Sequence, residues 1–119
     1  MRQRAAFAFV LAAALSASVW ALSPLLTGHA EPWDADGSYY LSALAIAGAV
    51  SGSLFPKPLW AHYVGAVFGQ AAFEVAFLDM GPLFILGLLF LASSSIVFFA
   101  AAALGAFVRV RCTDDANTA

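Results

Sequence analysis

Between Arg4 and Arg109 this chain carries only six charged side chains: Glu31, Asp34, Asp36, Lys57, Glu74 and Asp79. A soluble domain of such length needs a polar surface around its core, and six charges do not supply one. Composition agrees. Of the 119 residues 63% are hydrophobic and 10% charged, and the mean hydropathy is +0.89, so lipid is expected to provide part of the solvent. The fold class this predicts is all-α, an integral membrane bundle of four helices in a single domain.

The apolar runs place the spans at about 5–22, 39–55, 59–78 and 82–108. The first follows Arg2 and Arg4 and has two readings, a transmembrane helix or the apolar region of a secretory signal. A retained helix is expected. Val19, Trp20 and Leu22 extend the apolar run past the only passable cleavage site, around Ser16 and Ser18, and at 1.5 Å per residue the run is roughly 27 Å long. Residues 23–38, SPLLTGHAEPWDADGS, form the principal loop, since Pro, Gly and Asp all oppose a helix. Pro56 and Pro58 force a tight turn after Phe55, and Pro82 suits the first turn of the last helix. That helix would be about 40 Å long, and so tilted or protruding, before a tail over 109–119.

Cytoplasmic loops collect Lys and Arg, which fixes the orientation. Arg2 and Arg4 precede the first span, Lys57 separates the second from the third, and Arg109 and Arg111 follow the fourth. Four spans put all five basic residues on one side, N-in and C-in, in what is expected to be a bacterial cytoplasmic (inner) membrane. Trp20, Trp33, Tyr39 and Tyr40 would then mark the outer interface, and Trp60 and Tyr63 the inner one. A net charge of −2 without a basic cluster excludes nucleic acid as a partner. Cys112 stands alone, so no disulfide can form within the chain.

Glu74 is the first candidate for function, because an ionisable group within a span is costly. It lies near the outer end of its helix, where a carboxylate can also snorkel to the headgroups. Gln70 sits one turn deeper on the same face, and Tyr63 continues the stripe toward the inner end. His62 is expected at the inner interface. Gly48 and Gly52, and Gly65 and Gly69, form two G-x-x-x-G motifs that let helix backbones approach closely, within the chain or between copies. Ser93, Ser94 and Ser95 read as packing hydroxyls of the last span.

His29, Glu31, Asp34 and Asp36 gather in the outer loop, with Asp79 on the second outer turn. These acids fail the spacing of a calcium loop, as Tyr39 stands where glycine is required, so no metal is assigned. Trp33 is expected to anchor this loop in the headgroups. No phosphate loop, nucleophile elbow or zinc motif is present, and neither a catalytic role nor a cofactor is expected. Two functions fit: an accessory or assembly subunit packed against a larger membrane partner, or a homo-oligomeric transporter or channel whose pathway includes Gln70 and Glu74.

Overall fold

The structure, a computed structural model, describes residues 2–29, 38–78, 81–82 and 84–118. Four helices make up nearly all of it: α1 (Arg2–Thr27), α2 (Ser38–Leu54), α3 (Leu59–Phe77) and α4 (Phe84–Thr118), with no strand among the described residues. The bounds of α2 and α3 fall within one residue of the expected spans, because Pro56 and Pro58 close one helix and open the next.

The outer two helices run further than expected. Pro24 lies inside α1, where it removes one backbone donor. Side chains hold the turn that follows: Thr27 Oγ1 donates to the Ser23 carbonyl at 2.8 Å and accepts the His29 N–H at 3.1 Å, and Ser23 Oγ donates to the His29 carbonyl at 2.6 Å. Gly28, with φ at 79°, then ends the helix in the left-handed conformation, its N–H on the Pro24 carbonyl at 3.1 Å. Residues 23–27 are therefore helix and not loop. At the other end α4 begins at Phe84, two residues after the expected Pro82, and continues through the expected tail to Thr118. No Gly or Pro follows Gly105 to stop it. Its 35 residues, about 52 Å of helix, account for the 55 Å long dimension of the molecule.

Helix α1 packs chiefly on α3 and α2 chiefly on α4, while α3 with α4 and α1 with α2 complete the ring. Helices α2 and α3, although joined by a short turn, occupy opposite corners and touch little. Glycines set the two main pairs. A Cβ at Gly48 or Gly52 would collide with the carbonyl of Phe98 or Ala102 on α4, and one at Gly65 or Gly69 with the carbonyl of Phe9 or Ala13 on α1. Residue numbers rise together across each contact, so both pairs are parallel. Gly105 of α4 completes the α2 contact against the Ala49 carbonyl.

Polarity is inverted relative to a water-soluble bundle. Ser16, Ser51, His62, Gln70, Glu74 and Ser95 are buried, while Phe7, Ile46, Trp60, Phe77, Ile85 and Leu104 are each more than half exposed. Two stretches, Gln3–Thr27 and Phe84–Asp115, are long and apolar enough to cross a membrane; α2 is apolar but shorter. Helix α3 carries three of the buried polar side chains, His62, Gln70 and Glu74.

Candidate functional site

The centre of the bundle is Gln70, fully buried on α3. Its Oε1 accepts the indole N–H of Trp20 on α1 at 2.9 Å and the hydroxyl of Tyr40 on α2 at 2.5 Å. Its Nε2 donates to the Ala66 carbonyl at 3.1 Å and to Ser95 Oγ on α4 at 2.7 Å. Ser95 Oγ in turn donates to the Leu91 carbonyl, also at 2.7 Å. One amide therefore joins all four helices, and both of its acceptor lone pairs and both of its N–H donors are engaged.

Glu74, one turn further along α3, is 6% exposed. It is buried, where a snorkelling position is one expectation, because the face of α3 that turns Gln70 inward also carries position 74. Ser94 lies beside the Tyr40 hydroxyl. The aromatic enclosure consists of Trp20 edge-on to Tyr40, with centroids 6.4 Å apart, and tilted against Phe73 at 6.3 Å. Tyr39 is half-buried and donates to the Val19 carbonyl.

Tyr63 does not join this cluster. Its hydroxyl donates to the Ala92 carbonyl of α4 at 2.8 Å and its ring meets Phe99 edge-on at 6.1 Å, so the expected stripe of Tyr63, Gln70 and Glu74 is broken at its first member. The neighbouring residue, His62, is the buried one, contrary to its expected interfacial position. Its Nε2 faces the Phe55 carbonyl at 2.7 Å, and a carbonyl only accepts, so Nε2 carries the proton. Nδ1 of the neutral ring then accepts from Ser51 Oγ at 2.7 Å. The two contacts close the α2–α3 turn from within. Burial follows from α3 beginning at Leu59, which directs the face of position 62 inward and leaves Trp60 exposed.

Trp20 and Tyr40 were expected at an interface, and both are buried in the node instead. The signal available in the sequence was chemical. An indole N–H inside an apolar run needs an acceptor, and Gln70 is one of few side chains that supplies one. Of the outer polar candidates, His29 is exposed just beyond α1, whereas Glu31, Trp33, Asp34, Asp36 and Asp79 lie outside the described residues. Gly48, Gly52, Gly65 and Gly69 all face helices of the same chain. Among the described residues no group of three or more His, Cys, Asp or Glu side chains is placed to hold a metal ion. No protein-family model, curated protein or solved structure matches this chain.

Proposed function

We propose that this chain is a four-span integral membrane protein of a bacterial cytoplasmic membrane. Both termini and all five basic residues lie on the cytoplasmic side, and it acts as an accessory or assembly subunit docked on a larger membrane protein. Support for the membrane comes from the inverted polarity: the polar side chains of α3 are enclosed, and large apolar side chains cover the outside. The accessory reading rests on the saturation of Gln70. A residue that lines a conduction path must offer spare hydrogen-bonding capacity to the passing solute, and every donor and acceptor of this amide is already engaged by the bundle.

The glycine faces are occupied within the chain, so docking is assigned to the outer loop around Trp33 and to the exposed apolar flanks. Purification in mild detergent tests this. A larger membrane protein is expected to copurify, and Trp33→Ala to weaken the association. A stable homo-oligomer without a partner would overturn the reading.

Burial of the Glu74 carboxylate favours the second reading, transport by a homo-oligomer, because an ionisable group enclosed within a span is costly and marks an ion or proton pathway. On that reading Glu74→Gln abolishes proton or solute flux in liposomes and leaves assembly intact. Equal flux by the variant would eliminate it.

A further inference from the structure

At the Pro56 end of the bundle, the N-terminal turn of α1, the α2–α3 turn and the C-terminal half of α4 border an open-sided cavity of about 480 Å³. Three of its lining residues, Arg4, Lys57 and Arg109, are cationic; Leu54, Phe55 and Pro56 supply the apolar wall, and among the described residues no acidic side chain lines it. The volume falls in the range of ordinary ligand sites. Three separate stretches of sequence bring their charges to this one place, which no position along the chain discloses.

The cavity is braced. Arg109 Nη1 donates to the Ser53 carbonyl at 2.6 Å, in the last turn of α2, where the helix presents carbonyls without helical partners and a cation is favoured. That bond uses one of the five guanidinium donors and holds the others at the cavity edge. Leu54, on the apolar side, is 55% exposed, so the wall runs on into the apolar outer surface of the bundle. A ligand that satisfies both halves has an anionic group with several acceptor oxygens and an apolar body beside it.

We propose that this cavity binds the phosphate headgroup of an anionic phospholipid from the cytoplasmic leaflet, its acyl chains lying along Leu54 and the outside of α2. The inference rests on the membrane reading above, which places this end of the bundle at the cytoplasmic surface. Guanidinium and ammonium groups are the usual partners of phosphate oxygens, and basic pockets between helices on this side of a membrane are suited to anionic headgroups. The apolar wall favours a lipid over free phosphate.

Native mass spectrometry of the detergent-purified chain titrated with phosphatidylglycerol, phosphatidylcholine or inorganic phosphate tests the proposal. Preferential retention of phosphatidylglycerol is expected. Arg4→Gln or Lys57→Gln should each weaken it about fivefold, the effect of one basic residue near an anionic surface, while Arg109→Lys keeps most of it. Thermal melts of the same samples confirm that the variants are folded. Equal retention of the two lipids, an undiminished preference in the Arg4→Gln/Lys57→Gln double variant, or full displacement by millimolar inorganic phosphate would each overturn the proposal. Insertion into phosphatidylcholine vesicles, followed by flotation, separates the two ideas: a chain that inserts yet shows no headgroup preference refutes the cavity alone, and one that fails to insert refutes the membrane reading as well.

Discussion

The indole of Trp20 and the side-chain carbonyl of Gln70 meet at 2.9 Å across 50 positions of sequence, both fully buried. This bond fastens α1 to the amide that also holds α2 and α4. Gln70→Leu roughly keeps the volume and removes all four hydrogen bonds of the Gln70 side chain. Interhelical hydrogen bonds in membrane proteins average about 0.6 kcal/mol, and orphaning a buried donor costs on the order of 1–3 kcal/mol. A loss of about 2 kcal/mol is expected, measured as the stability to unfolding in detergent. An unchanged stability would show that the node carries no weight in the fold.

Glycine substitutions should separate by what surrounds them. Gly52→Ala and Gly69→Ala push a methyl into backbone of the facing helix and should each cost about 1–3 kcal/mol by overpacking. Gly28→Ala meets no neighbour within 4 Å but must adopt φ at 79°, a cost of about 1 kcal/mol. Gly81→Ala has open space and no such φ, and should be close to neutral. Thermal midpoints of the four variants in one detergent would check this order.

His62→Ala removes the partner of Ser51 Oγ and of the Phe55 carbonyl together. The expected loss is about 1–3 kcal/mol, since Ser51 is fully buried and the Phe55 carbonyl is part-buried. Ser51→Ala orphans only one ring nitrogen and should cost less. If the two variants melt alike, the Phe55 contact contributes nothing to stability.

Cys112 is exposed and is the chain's single cysteine, which makes it a native reporter of topology. A membrane-impermeant maleimide should label it in inside-out vesicles and leave it unmodified in intact cells. The opposite pattern would reverse the proposed orientation.

Much of the helical layout was legible, for identifiable reasons. Pro56 and Pro58 fix the α2–α3 turn because proline cannot continue a helix, and the scarcity of charge between Arg4 and Arg109 foretells long apolar helices. Pro24 misled because proline costs a helix one bond, which Ser23, Thr27 and Gly28 offset by bonds of their own. The extension of α4 past Arg109 was missed because the signs of a water-exposed tail, charge and small polar residues, are equally compatible with helix.

The sequence by itself determined the helices, their apolar character and the residues whose polar groups would demand partners. Only the tertiary structure decided which partners they found. Helices without a marked hydrophobic stripe do not show which side turns inward, so pairing depends on fit: glycine against a facing carbonyl, and an amide of which three hydrogen-bonding positions are matched by groups from the three other helices. That is why Trp20 and Tyr40 are found in the core.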